Sequence, residues 1–403
     1  MKIRSVTIFN GANDARSKEG IARAGKAASA VKKRLIDAGF EVQTTRLALA
    51  PAYTWITGLD TANTISAAKE IEARTNEAGI DYVSFGPVAD KQDHSENIAK
   101  LPDVIAATRA VFASVVISGF EVVNGWVLQP VADAIKEIAE NTENGFGNLR
   151  FAALGHCQAG IPFFPAAYAE FGDSPPRPGS ALAIECADLA LNASQQMRSP
   201  ADAANALTWN IEREAMRIET ALKNIEAETH FGFAGCDWSL ATHPDDACSV
   251  GAAIETLTGA PFGEWGTLSA IAILTNAIKR ANVRYVGFSG VFLPLLEDAV
   301  LAKRTRDIGD LQKLLLYCSV CGSGLDTVPL AGDVPTQSIA ALLGDVATLA
   351  LQLKKPLTAR LMPIPGLRAG DPTRFDFPYL VNGHALGLTG GGTALWRNAL
   401  PSN

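Results

Sequence analysis

Val6-Thr7-Ile8-Phe9, then Ile21-Ala22-Arg23-Ala24-Gly25-Lys26-Ala27-Ala28-Ser29-Ala30-Val31-Lys32-Lys33-Arg34-Leu35-Ile36-Asp37-Ala38, then Glu41-Val42-Gln43-Thr44-Thr45-Arg46-Leu47 read in succession as strand, helix and strand. The first run is β-branched and aromatic, the second amphipathic and rich in Ala and Lys, and the third alternates apolar with polar. A helix between two strands implies parallel pairing with a right-handed crossover. The alternation continues outward. Helices are expected over 66–78, 101–108 and 131–141, with strands over 81–88, 115–118 and 149–154. Asp173-Ser174-Pro175-Pro176-Arg177-Pro178 is the most proline-dense stretch and marks a loop between halves 1–178 and 179–403 of one large α/β domain. Beyond it, Ser199-Pro200 has the form of an N-cap followed by proline at N1, opening one long helix to 228. Strands are expected at 231–237, 284–288 and 357–363, with helices at 250–257, 266–281, 297–304, 311–317 and 336–354.

With 48% hydrophobic and 19% charged residues, the chain of 403 residues has the balance of a globular protein with a large core. The net charge of −7 argues against a basic surface for nucleic acid or anionic lipid. Met1 to Ile8 opens directly into strand-like sequence without the apolar segment of a signal peptide. The richest apolar run, 340–353, carries Gly344 and Asp345 and falls short of the roughly 18 residues of a membrane span. These features predict a cytoplasmic protein that binds neither nucleic acid nor membrane. Its six cysteines are then read as thiols rather than a disulfide framework.

Chemistry is densest in Tyr317-Cys318-Ser319-Val320-Cys321-Gly322-Ser323-Gly324-Leu325-Asp326-Thr327-Val328-Pro329-Leu330-Ala331-Gly332-Asp333. Metal binding at Cys318 and Cys321 would need a second CxxC or suitably spaced histidines, and neither occurs. A redox pair normally sits at a helix N-terminus, whereas here the helix precedes the cysteines. Three readings remain, in falling order: small buried apolar residues, thiols lining a site, and last a metal pair. Asp326, an acid in an apolar segment, requires a partner, and Asp333 fits a helix cap.

Three further segments carry candidates. Gly235-Cys236-Asp237-Trp238-Ser239 ends a strand, and ligands bind beyond the carboxyl ends of such strands. Asp237 and Ser239, two apart, point to one side, while Asp246 is expected to cap the next helix. Ser289 precedes a glycine and an apolar run that ends in Glu297 and Asp298; Glu297 is either a helix-opening acid or an inward-facing one. Gly266-Thr267 opens a helix whose free N–H groups suit an anion. Ile161-Pro162-Phe163-Phe164-Pro165 makes a rigid apolar wall for a pocket. No P-loop, GxGxxG or GxSxG is present.

Phe233 to Ser239, Phe262 to Thr267, Ser289 to Asp298 and Cys318 to Asp333 together resemble a prokaryotic family catalogued as domain-of-unknown-function family 711. The family pattern most often has Gly-Ile-Asp where this chain has Gly235-Cys236-Asp237. The resemblance implies a closed α/β barrel of the pyruvate formate-lyase-like type, with a central hairpin carrying Cys318 to Asp326. No glycyl radical segment occurs near the C-terminus, and Gly390-Gly391-Gly392-Thr393 is not one, so radical chemistry is not expected. The expectation is an enzyme with hydrolase, lyase or isomerase chemistry on a small polar or carboxylate-bearing metabolite. Cys318, Cys321, Asp237, Glu297 and Asp326 would be catalytic, and Ser239, Ser289, Thr267, Arg360 and Phe164 would bind substrate. No cofactor is identified. One alternative makes Asp237, Glu297, Asp326 and Asp333 ligands of Mg²⁺ or Ca²⁺. Another is a ligand-binding regulator without chemistry. The expected partner is a small-molecule substrate, with a homodimer as an option.

Overall fold

The computed structural model describes residues 1–12, 14–171 and 179–397. The strand–helix–strand reading of the N-terminus holds: strand β1 (Lys2–Asn10) and strand β2 (Val42–Leu49) pair in parallel across the helix Lys18–Asp37. Ser17 caps that helix by accepting from the Gly20 amide at 3.0 Å. Its apolar stripe, Ile21, Ala24, Ala28, Val31 and Leu35, packs with Val6 and Ile8 of β1. Phe9, with the opposite parity to those two, faces the other side.

Three more parallel strands extend the sheet: β3 (Tyr82–Pro87), β4 (Val111–Ser118) and β5 (Phe151–Gly155). A flanking pair completes each side. Strand β6 (Gly179–Glu185) is antiparallel to β1 and carries β7 (Gly232–Ala241) beside it. Strand β9 (Leu357–Ile364) is antiparallel to β5 and carries β8 (Gly324–Ala331). The nine-stranded order is β7-β6-β1-β2-β3-β4-β5-β9-β8, so strands from both halves of the chain share one sheet. The boundary expected at Asp173 to Pro178 lies outside the described residues. The edge strands β7 and β8 are both touched by residues 285–294. Tyr285 and Val291 bridge to Cys236 and Leu240 of β7, and Pro294 bridges to Asp326 of β8.

Several elements differ from expectation. Residues 284–288 make isolated bridges rather than a regular strand. The long helix ends at Ala221, and the chain turns at Asn224 with φ 61° before a short helix, Ile225–Thr229. The helix Thr336–Leu353 forms where one was expected over 336–354, but its apolar span is longer than the run 340–353, which is too short for a membrane. By length and composition it could cross a membrane, but here it is a half-buried helix packed on β4, β5 and β9.

The central hairpin expected at Cys318 to Asp326 is not found there. Cys318 ends the helix Leu311–Cys318, Cys321 lies in the following turn, and Asp326 belongs to β8 within the sheet. The sheet face opposite the helices is filled instead by residues 161–169. Phe164 packs with Phe9, Ala48, Phe112 and Ala181, and Phe163 with Ala152, Ala183, Ala241 and Phe292. Backbone groups of this segment bond to the strands. Thr7 Oγ1 donates to the Pro162 carbonyl at 2.9 Å, Ser84 Oγ to that of Ala167 at 2.6 Å, and the Ala169 amide to Leu49 at 2.9 Å. Two adjacent phenyl rings between prolines supply the apolar volume this face requires, and the strand hydroxyls satisfy the buried carbonyls.

Candidate active site

Beside the phenylalanine plug, the same face carries a cavity of about 170 Å³. Every strand except β6 contributes to its wall. Five arginines line it, Arg4, Arg46, Arg109, Arg150 and Arg360, against two carboxylates, Glu297 and Asp326.

Most of that charge is internally paired. Arg360, on β9, donates from Nε to Asp326 Oδ1 and from NH2 to Glu297 Oε1, both at 2.6 Å. Arg4, on β1, donates from NH2 to Glu297 Oε2 at 2.5 Å and from NH1 to Glu185 Oε2 at 3.1 Å. All four cavity members of this network are buried or nearly so. Burial alone would raise both carboxyls, yet their partners divide them. The two arginines hold Glu297 below the ordinary carboxylate range. Burial keeps Asp326 above it despite Arg360, with Glu297 adding repulsion. Asp326 is therefore the carboxyl closer to exchanging a proton at neutral pH.

Arg46 is different. It is 9% exposed, and its Nε donates to Thr44 Oγ1 at 3.0 Å. Its guanidinium lies over Phe164 and Tyr82, 5.2 and 5.7 Å from the ring centroids. Among the described residues no carboxylate pairs with it. Burial, then repulsion from Arg4, pushes it down to about 9, which leaves it charged at neutral pH. Arg150, by contrast, spends its donors on Thr108 Oγ1 and the Val111 and Ile105 carbonyls, and Arg109 is exposed.

Of the residues expected in a site, Glu297, Asp326, Arg360 and Phe164 meet in this cavity. The others do not line it. Asp237 accepts from the Phe288 and Ser289 amides at 2.7 and 2.8 Å, from Ser239 Oγ at 2.6 Å and from the Ser239 amide at 3.1 Å. Ser289 Oγ is spent on the Trp238 amide and the Val286 carbonyl. Asp237, Ser239 and Ser289 thus brace the turn that carries the cavity residue Phe288. Thr267 Oγ1 accepts from the Gly263 amide at 3.1 Å.

Cys318 and Cys321 are each 1% exposed, inside the main apolar core rather than on the cavity wall. Cys321 Sγ accepts from the Gly324 amide at 3.4 Å, and Lys355 Nζ donates to the Cys318 carbonyl at 2.6 Å. The Cys318 thiol, helped by Lys355, pulls Cys321 down to about 6, and the same contact raises Cys318. The Mg²⁺ or Ca²⁺ alternative finds no common centre. Asp237 is taken up by amides, Glu297 and Asp326 by Arg360, and Asp333 is exposed in a turn. Among the described residues, no three His, Cys, Asp or Glu side chains gather as a metal site.

Two capping expectations are also corrected, whereas Asp298 opens its helix as expected. Asp333 caps nothing, since Pro335 precedes the helix Thr336–Leu353 without a side-chain bond. Asp245 and Ser249, rather than Asp246, cap the turns near Cys248. Asp298 caps two helices at once, accepting from Val300 and Leu301 at 2.9 Å and from Val250 at 2.7 Å.

Sequence reasoning missed Arg4, Arg46 and Ser323. For Arg46 the available signal was parity, since Thr44 and Arg46 share one face of a parallel strand.

The fold and site together define a mixed α/β protein with an arginine-lined cavity on one face of its sheet. The chain belongs to the family described as Uncharacterised ACR (DUF711), which matches residues 1–377. It is similar to the UPF0210 protein of Syntrophobacter fumaroxidans, 28% identical over 359 residues, covering 84% of this chain and 77% of that one. The UPF0210 protein of Pyrobaculum islandicum is 28% identical over 350 residues, covering 83% and 76%. That of Desulforudis audaxviator is 28% identical over 403 residues, covering 93% and 88%.

Proposed function

We propose that the protein is an enzyme of a small anionic metabolite, working inside a sheet that residues 285–294 close into a barrel. The anion is held by Arg46, and Asp326 exchanges a proton with the bound substrate, as lyase or isomerase chemistry requires. The observation that carries this reading is a buried guanidinium without a carboxylate partner, set across from two carboxyls whose surroundings push them apart. A buried charge without a counter-ion is costly, so a ligand anion would complete Arg46 as Asp326 completes Arg360. The phenyl rings of Phe112, Phe164 and Phe292 would hold an apolar body. Carboxylate and phosphate both suit a guanidinium.

The test is calorimetric titration at fixed ionic strength with acetate, benzoate, 3-phenylpropanoate and inorganic phosphate. At least one should bind the parent chain, and Arg46→Met should weaken it by about tenfold or more. Equal binding by parent and variant, or binding of none, sinks the reading. With a turned-over substrate in hand, Asp326→Asn should abolish turnover while leaving anion affinity within a few-fold.

A further inference from the structure

Ser323 lies in the turn between Cys321 and β8, and it lines the cavity together with Asp326, Thr358 and Arg360. The residue is 1% exposed, and its hydroxyl has no hydrogen-bond partner among the described residues. Its carbonyl is used by contrast, accepting from the Thr358 amide at 2.7 Å and from Thr358 Oγ1 at 2.9 Å. Of the described cavity-lining residues, Ser323 is the one whose buried side-chain oxygen or nitrogen stands without a partner.

The groups beside it are committed. Arg360 spends its nitrogens on Asp326, Glu297 and the Leu149 carbonyl. A buried hydroxyl that no neighbour satisfies needs a water or ligand oxygen as its partner, and the cavity that Ser323 lines is the adjacent space that could supply one. Unlike a guanidinium, a hydroxyl both donates and accepts, so it suits a neutral oxygen better than a second anion.

Resting on the anion reading of Arg46, we infer that the cavity takes a hydroxy or oxo acid, whose hydroxyl or carbonyl oxygen is bonded by Ser323. Arg46 holds the acid group and Ser323 reads the second oxygen beside Asp326. An acid lacking that oxygen leaves Ser323 unpaired in a dry wall, and that mispairing is how a polar site rejects an analogue.

The experiment titrates the full chain with three matched probes, 3-phenylpropanoate, 3-phenyllactate and 3-phenylpyruvate. In the parent, at least one oxygenated probe should bind about tenfold more tightly than 3-phenylpropanoate. Ser323→Ala should remove that preference without weakening the binding of 3-phenylpropanoate, and Ser323→Thr should restore part of it. Unliganded melting of each variant near the parental temperature establishes that the fold is intact. If all three probes bind the parent equally, or the preference survives in Ser323→Ala, the role of Ser323 is overturned and Arg46 keeps its own. If none of the three binds the parent although acetate, benzoate or phosphate does, this inference fails and the anion reading stands; if none of those anions binds either, both fail.

Discussion

Arg360→Met should cost about 3–5 kcal/mol of stability near neutral pH, and the deficit should shrink as the solution is acidified. The arginine is the bonded counter-charge of Asp326 and one of two for Glu297. Methionine would fill much of the volume but leave Asp326 a buried carboxyl without a cation. Burial already raises Asp326 in the intact protein, and loss of Arg360 would raise it further. A carboxyl whose folded value lies above its unfolded one favours the fold while protonated. That contribution is lost as pH rises from the unfolded value through the folded one. Glu297 behaves oppositely, because Arg4 remains to hold it down. Its contribution is present above its unfolded value and is lost as pH falls through the depressed one. The difference between parent and variant therefore follows Asp326 and should widen between about pH 5 and about pH 8. Urea denaturation at those two conditions measures it. A deficit that stays constant would mean that Arg360 contributes packing rather than charge.

Gly324→Ala should be comparably damaging, by about 3 kcal/mol or more, for a reason unrelated to charge. Gly324 opens β8 with φ 99°, a backbone region that side chains avoid. An added Cβ would also lie 2.7 Å from the Thr358 amide nitrogen and closer still to its carbonyl, both rigid backbone atoms of β9. Gly259 supplies the control. Its φ is 68°, but nothing lies within 4 Å of an added Cβ, so Gly259→Ala should cost only about 1 kcal/mol. Equal losses at the two positions would show that the β8–β9 contact yields, and that only backbone strain counts. Because Ser323, Asp326 and Thr358 flank this contact, a folded Gly324→Ala protein should also bind cavity anions poorly.

The α/β nature of the chain was legible because local pattern and final contact coincide over the first fifty residues. Val6, Ile8, Ile21 and Val31 are apolar with the right periods, and they pack on one another. Strand β6 was not legible. Gly179-Ser180-Ala181-Leu182-Ala183-Ile184-Glu185 is rich in small residues, and its strand character comes from docking against β1 rather than from propensity. Residues 284–288 erred the other way, since Tyr285-Val286 has strand propensity but makes only isolated bridges.

Within the site, Glu297, Asp326 and Arg360 could be singled out as charged residues in apolar surroundings, for which partners had to exist. The cysteine pair drew attention for its reactivity, although thiols are also good core filling. Arg4 and Arg46 gave almost no local sign. Only the order of the sheet brings β1 and β2 to the face shared by β8 and β9, some three hundred residues later in the chain.

That order has a consequence for how the molecule is made. Strand β5 ends at Gly155, but the neighbour that covers its open side, β9, begins at Leu357. A ribosome must therefore synthesise roughly two hundred further residues, β6 and β7 among them, while the β5 margin stays unpaired and the phenylalanine plug is only partly walled in. Nascent chains halted soon after β5 should be held by chaperones or lost to proteases, and release from that dependence should come only once Ile364 has cleared the exit tunnel.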